Sequence, residues 1–492
     1  MHRMKEAKHW LGARKWWGAL RVMWLLPALA SAQTLGGYSR PLGTPSAVGV
    51  PSEQGPFGGS VPEGQATSTV LAVSFQDAIN RGLRNNLGVL LQADNTINAR
   101  GQKWSELSNL LPKLSAGVSE NAAQINLAAE GFRFSAPAFA GVPTVVGPYG
   151  FFDSRLYLEQ TVFSWKDINR TRGAISNENA AHFNYKDARD LVVLAVGNAY
   201  LQALAGAARV DTAEAQVQTA QALYDKSKDQ LDAGVSPAID TLRSKVELQT
   251  RQQQLIVARN NYAKEKLALG RAIGLPPGQE YSLSDKAPYE PLTSVGLEES
   301  LRRAYASRSD YQAAMQQVRA AQLYRNAATA EHYPTVDIVA NYGDSGITLG
   351  SSHGVFMVSG MLRIPIFQGG KVHADVLQAE AQLKQSEQQL DNLRSQIDYE
   401  VRTALLDLTA AADQVEVARS SVDLADQTLG QARDRFAAGV TDNLEVIQAQ
   451  EAVASANENY ITGLYAHNLA KVELARALGY AEEGVKQYLK SK

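Results

Sequence analysis

After its N-terminal stretch the chain repeats itself once, and a duplicated sequence commits a fold to two copies of one structural plan. A shift of 222 positions lays Phe75, Ile79, Arg81 and Pro112 on Leu297, Leu301, Arg303 and Pro334. Further along the shift is 205. Leu231-Asp232-Ala233-Gly234-Val235-Ser236 then falls on Phe436-Ala437-Ala438-Gly439-Val440-Thr441, and Leu269–Gly274 falls on Leu474–Gly479. The change from 222 to 205 places extra residues in the first copy, around Asn126–Gly150, where Gly, Pro and Phe predict an exposed loop.

Each copy has one order of elements. A helix is expected over Ser74–Asn109 and over Gly296–Glu331, each followed by a proline that holds the preceding residue out of helical space. Strand-like runs follow at Lys113–Gln124 and Phe151–Phe163, and again at Thr335–Asp344 and Val355–Phe367. Next come a helix of about 65 residues, a turn at Gly234 or Gly439 and a returning helix of about 40. At 1.5 Å per residue the longer helix reaches roughly 100 Å, which points to coiled-coil construction.

A seven-residue spacing supports that reading. It links Val376, Leu383, Leu390, Ile397, Ala404, Ala411, Ala418, Ala425 and Ala432 to Gly439, and in the first copy Ala199, Gly206, Ala213, Ala220 and Ser227 to Gly234. A sustained seven-residue repeat keeps one stripe against its neighbours. The change to Ala, Ser and Gly toward the turns predicts hairpins that tighten at their tips.

The strand-like runs alternate. Leu156, Leu158, Gln160 and Val162 oppose Arg155, Tyr157, Glu159 and Thr161, while Val336, Ile338, Ala340 and Tyr342 oppose Asp337, Val339, Asn341 and Gly343. Runs of about ten residues with one apolar face suit tilted strands in a bilayer. Tyr149, Phe151, Phe152, Phe163 and Trp165 sit where interface aromatics belong. Four strands cannot close a barrel, and an open edge in lipid strands its amides, so closure requires several copies of the chain.

The N-terminus reads as an export signal, with an uncleaved membrane anchor as the alternative. Lys5, Lys8, Arg14, Lys15 and Arg21 precede the short apolar run Val22–Ala30, and Ala30-Ser31-Ala32 fits a cleavage site that leaves Gln33 first. No later stretch reads as apolar enough to span a bilayer as a helix, so any membrane portion is expected to be β. The expected layout is a signal peptide at 1–32, a flexible Gly/Pro/Ser-rich leader at 33–72, repeats at 73–290 and 291–480, and a tail at 481–492. With no Cys, neither a disulfide nor an acylated lipoprotein anchor is expected.

Charge and motifs exclude other classes. Against 50 Asp+Glu stand 48 Lys+Arg, which gives no basic excess for a nucleic-acid partner. Its seven His residues are scattered without metal-ligand spacing, and Gly369-Gly370-Lys371 lacks the rest of a phosphate loop. No nucleophile elbow occurs. Neither an enzyme nor a cofactor is expected.

Across nearly all of the chain after Val73, the sequence resembles the TolC-like outer-membrane efflux and secretion channels. The resemblance rests on the duplicated order, on the Leu111-Pro112 and Tyr333-Pro334 openings, on Ile364-Pro365-Ile366-Phe367-Gln368-Gly369-Gly370-Lys371, on Ala438–Ile447 and on the closing Leu478-Gly479. It implies an α+β membrane protein: a homotrimer whose twelve-stranded β-barrel, four strands per chain, sits in outer-membrane lipid above a periplasmic α-helical tunnel. It implies a periplasmic adaptor as partner and, through it, an inner-membrane pump. By the same likeness Gly234, Val235, Ser236, Gly439, Val440 and Thr441 meet the adaptor. The channel narrows at Glu445 and Gln448, where family members carry two acids and this chain keeps one. Phe436, Thr441 and Asp442 are implied in latching the closed state. The competing readings are a periplasmic adaptor and a structural coiled coil, and an adaptor would carry one hairpin with lipoyl-like domains, not two matched hairpins with strand pairs.

Overall fold

The computed structural model describes residues 55–132, 143–285, 289–290 and 296–488, so the expected signal peptide at 1–32 lies outside the described residues. Both copies build the anticipated plan. In the first, α1 (Phe75–Asn85) and α2 (Leu87–Ser108) lead to β2 (Lys113–Asn126) and β3 (Val145–Phe163). The hairpin α3 (Trp165–Asp232) and α4 (Ala238–Ala272) follows. In the second, α5 (Leu297–Ser307) and α6 (Ser309–Thr329) lead to β5 (Thr335–Gly346), β6 (His353–Arg363), α7 (Lys371–Ala437) and α8 (Asn443–Ala477). The long helices have 68 and 67 residues and the returning ones 35 each.

The expected leading helix is broken in both copies, at Asn86 and Arg308, which the 222-residue shift superimposes. Both residues take an extended ψ, 130° and 122°. Each is buried and carries a polar side chain with fixed partners, and the Asn86 side chain also caps the freed start of α2. Asn86 accepts from Gly88 N (2.9 Å) and donates to Phe57 O (2.8 Å). Arg308 donates to Asp310 and Glu400.

Three further boundaries differ from expectation. The leader is ordered from Gly55: Ser60 bridges to Asn86, Glu63 N donates to Gly274 O, and β1 (Leu71–Val73) pairs in parallel with β4 (Tyr281–Leu283). Isolated anchors hold this segment, and such anchors leave no periodicity to read. The loop expected at Asn126–Gly150 is shorter, because β3 already begins at Val145. At the C-terminus, the expected tail forms α9 (Ala481–Tyr488), with Glu482 paired to Arg189 of α3 at 2.8 Å.

Among the described residues one helix, α3, carries a stretch long and apolar enough to cross a bilayer, contrary to expectation, and 56% of that stretch is buried inside the molecule. Val192, Val193, Leu194, Val196, Tyr200 and Ala203 are all at most 1% exposed there. They pack with α1, β1 and β4 in the main core, so the stretch is a core helix segment. The second copy has its own core around Ile397, Val401, Ala404, Leu474 and Leu478.

The strands form one antiparallel sheet in the order β2-β3-β5-β6. Contacts among the long helices follow the order α4-α3-α8-α7. The sheet therefore ends in two unpaired strands, β2 and β6, and the row of long helices ends at α4 and α7, with α5 and α6 packed along part of α7.

Candidate functional site

The register of the sheet separates a mainly apolar face from a mainly polar one, with Ser154 and Asp344 on the apolar side and Val339 and Met357 on the polar side. Leu114, Leu158, Ala340 and Val358 lie side by side across the strands, and so do Ala116, Leu156, Tyr342 and Phe356. Leu114, Leu156, Tyr342, Phe356 and Val358 are at least half exposed. On the opposite face run Lys113, Glu159, Val339 and Ser359, then Ser115, Tyr157, Asn341 and Met357. Polar pairs lace that face: Arg155 with Asp153 at 2.7 Å, and Thr161 Oγ1 donating to Asp337 Oδ1 at 2.9 Å. One side is mainly apolar and the other carries the polar pairs.

The outer flanks of the helical layer carry apolar stripes of their own. On α4, Leu242, Val246, Ile256 and Leu267 are 60–74% exposed, and on α7, Leu406, Val417 and Leu424 are 61–70% exposed. The stripes match in height. Leu267 lies 33 positions from Gly234 and Leu406 lies 33 from Gly439; Ile256 and Val417 each lie 22 positions from the same glycines.

At the tips, both turns are built alike. Gly234 and Gly439 take φ of 73° and 69°, the left-handed region that only glycine enters freely. Val235 N donates to Gln230 O and Val440 N to Arg435 O, both at 3.0 Å, closing each helix with the same C-terminal bond. Val235 and Val440 project outward, 74% and 70% exposed. Ser236 Oγ donates to Asp240 Oδ2 at 3.1 Å, and Asp442 caps α8 by accepting from Leu444 N. Thr441 is half-buried beside it.

The residues implied in gating do not form one cluster. Glu445 accepts from Arg435 Nη1 at 2.9 Å across the α7–α8 turn, while Gln448 is exposed. Phe436 is 5% exposed and packs with Leu223, Leu429 and Val446, joining α3 to the second hairpin. Lys226 Nζ stands 5.6 Å from its ring.

The sequence reading missed the polar knot that ties the two hairpins together. Asn443, fully buried, donates through Nδ2 to Asp240 O (2.6 Å) and to Ser244 Oγ (2.9 Å). Ser244 Oγ donates to Asp240 O at 2.9 Å, which leaves Ser227 Oγ as donor in the 2.9 Å Ser227–Ser244 contact. Arg243 adds a looser bridge to Asp240 (3.6 Å) and Asp442 (3.7 Å). One signal was visible: Ser227 interrupts an Ala stripe, and a polar group on a seam needs a partner. Nothing in the sequence marks Asn443 as buried. A double-mutant cycle of Asn443→Ala and Ser244→Ala is expected to return a coupling of about 0.5–3 kcal/mol in denaturant unfolding of the purified protein. Strictly additive losses would show that the contact carries no energy.

Among the described residues no group of His, Asp or Glu is arranged to hold a metal ion. Comparison with known proteins agrees with the duplicated plan. The family model described as outer membrane efflux protein matches twice, over residues 99–275 and 300–480. The alkaline protease secretion protein AprF of Pseudomonas aeruginosa is 23% identical over 345 residues, covering 68% of this chain and 71% of that protein. Outer membrane protein TolC of Vibrio cholerae is 22% identical over 434 residues, covering 85% and 94%. The CmeC outer membrane channel of Campylobacter jejuni shares the fold, with a TM-score of 0.71 at 17% identity over 83% of this chain and 86% of that one. VceC of Vibrio cholerae, an outer membrane protein, does so at 0.70 and 20% identity over 82% and 96%. With both copies of the repeat matched and the fold shared with outer-membrane channels, the chain belongs to the outer membrane efflux protein family.

Proposed function

We propose that three copies of this chain form a passive exit duct across the outer membrane, serving an inner-membrane pump or type I exporter through a periplasmic adaptor. The observation that carries this reading is the four-stranded sheet with one apolar face, one polar face and two open edges. Pairing β6 of one copy with β2 of the next satisfies every edge amide in hydrocarbon, and three copies close twelve strands around an aqueous lumen. The same rotation brings the α4 stripe of one copy against the α7 stripe of its neighbour.

Both efflux and secretion remain within this proposal, because the relatives are named for both. AprF is a protease secretion protein, and TtgC of Pseudomonas putida, 22% identical, is a probable efflux pump outer membrane protein. On this reading the duct is passive and cargo is chosen by the pump. On this reading residues 1–32 are removed on export, and the repeats at 73–290 and 291–480 supply equal shares of the wall. Gly234–Ser236 and Gly439–Thr441, with their outward valines, receive the adaptor.

Three Glu445 carboxylates would face the narrow end of the tunnel, each tempered by its own Arg435, with Gln448 neutral one turn above. Phe436, Thr441 and Asp442 hold the neighbouring turn in place. Two substitutions then act in opposite senses in planar-bilayer recordings. Glu445→Gln lowers cation preference and divalent-cation block, and Arg435→Gln raises both by freeing the carboxylate. Ion selectivity unmoved by either substitution would remove Glu445 from the gate, and the absence of any conductance from the purified wild type would overturn the duct itself.

A further inference from the structure

Four carboxyl groups and two guanidiniums meet where the first copy of the repeat packs on the second. α3 brings Asp187 and Asp190, the α5–α6 break brings Arg308 and Asp310, α7 brings Glu400 and α8 brings Arg476. Asp190, Arg308, Glu400 and Arg476 are at most 9% exposed. With every group ionised, four acids face two bases, and a poorly solvated site tolerates such an excess of one sign badly. A proton on one acid relieves it.

Asp190 is the acid with the least support. Arg308 donates to Asp310 and Glu400, while Arg476 Nη2 donates to Asp187 at 2.5 Å and lies 3.8 Å from Asp310. Among the described residues Asp190 has no ion-pair partner within 4 Å, and its Oδ1 accepts only from Glu482 N, at 3.4 Å. Arg476 Nη1, in the same cluster, is buried without a partner. The charged groups that face Asp190 are Arg476 of α8, Asp187 of its own helix and Glu482 of α9. Burial outweighs the pull of Arg476 and of the Glu482 N–H, and the charges of Asp187 and Glu482 add repulsion, so the Asp190 carboxyl is pushed up to about 6. Glu482 is the second residue of α9, so Asp190 sits beneath one of the N–H groups that a helix start leaves open. The other ties of α9 are the Arg189–Glu482 pair at 2.8 and 3.0 Å and the fully buried Ala481 in the main core.

We propose that Asp190 is a proton-operated fastener, which takes up a proton as the surroundings acidify and then holds α9 against α3 more firmly than at neutral pH. Ionised, Asp190 repels Asp187 and Glu482 and competes with Asp187 for Arg476. Protonated, it repels neither and leaves Arg476 to Asp187 and Asp310. Docking of α9 raises this carboxyl above its ordinary value of 3.8, so the added stability is complete below that value and is lost as pH rises through about 6. Because α3 belongs to the first copy of the repeat and α9 closes the second, the fastener acts within one chain, whether or not chains assemble.

The test is amide hydrogen exchange of the full-length protein in detergent, read on α9 as protection factors so that the intrinsic pH dependence of exchange drops out. Protection of wild-type α9 is expected to fall about tenfold between about pH 5 and about pH 7.5. Asp190→Asn, neutral and of the same shape as the protonated acid, is expected to keep acid-level protection at both. Asp187→Asn frees Arg476 for Asp190 and is expected to move the wild-type change to lower pH. Equal protection of wild-type α9 at the two pH values would overturn the fastener. A fall that survives in Asp190→Asn, or a midpoint that stays in place in Asp187→Asn, would overturn it equally.

Discussion

Replacing Arg308 by alanine is expected to cost about 3–5 kcal/mol, the largest single-residue loss in the helical part of the molecule. Arg308 sits at the break between α5 and α6 and is 1% exposed. Its guanidinium meets Asp310 at 3.0 and 2.6 Å and Glu400 of α7 at 2.5 Å, so one side chain fastens the kinked leading helix to the long one. Burial pushes the Asp310 carboxyl up, but the hydrogen bonds and charge of Arg308 outweigh it and hold that group below its ordinary range. Removing the cation leaves Glu400 with no charged partner and Asp310 with only Arg476 at 3.8 Å, in a poorly solvated site where Arg476 already holds Asp187 at 2.5 Å. Lysine keeps the charge but loses the fork that reaches both partners, so Arg308→Lys falls between wild type and alanine. The control is Arg302→Ala, an exposed partner of Glu299, for which a loss of about 0–1 kcal/mol is expected. Helical circular dichroism during denaturant unfolding reads all three; equal midpoints for Arg308→Ala and Arg302→Ala would remove the claimed role of the buried fork.

Leu158→Arg is expected to abolish or severely reduce insertion, while Tyr157→Arg, one position away, is tolerated. Leu158 stands in the central strand β3 between Leu114 and Ala340, in the middle of the apolar face. A guanidinium near mid-bilayer on a lipid-facing strand costs about 2–4 kcal/mol. Tyr157 faces the other way, between Ser115 and Asn341, where water fills the proposed lumen. The pair is read by the amount of each variant recovered from outer-membrane fractions after export. Equal recovery would mean that the two faces of the sheet meet the same medium.

Much of this architecture was legible in the sequence, for physical reasons that differ between elements. The duplication exposed the element order, since landmarks such as Pro112 and Pro334 survive in both copies. The hairpin turns were legible because Gly234 and Gly439 are needed for a positive φ. The breaks at Asn86 and Arg308 were not, because a helix kink stabilised by a buried side chain leaves the apolar periodicity on either side intact. β1 and β4 were missed because three-residue strands carry no pattern, and the order in Gly55–Val73 because it depends on scattered tertiary bonds. At the tips, the sequence pointed to Glu445 but not to Arg435 ten residues earlier, whose relation to it exists only once the turn is folded. Asn443 was hidden for the same reason: its partners Asp240 and Ser244 lie about two hundred residues away in the chain.

The central claim is that one copy's right flank is completed by the next copy's left flank, and that this closes at three. The protein has no cysteine, so a disulfide between Ile256→Cys on α4 and Val417→Cys on α7 reports only the engineered contact. Such a bond forms only where Cα atoms approach within about 4.4–6.8 Å. Oxidising the double variant in native membranes should give a non-reducing ladder of one, two and three chains that ends there, and either single variant should give no ladder. A double variant that stays monomeric, or a ladder running past three, would contradict the closed ring.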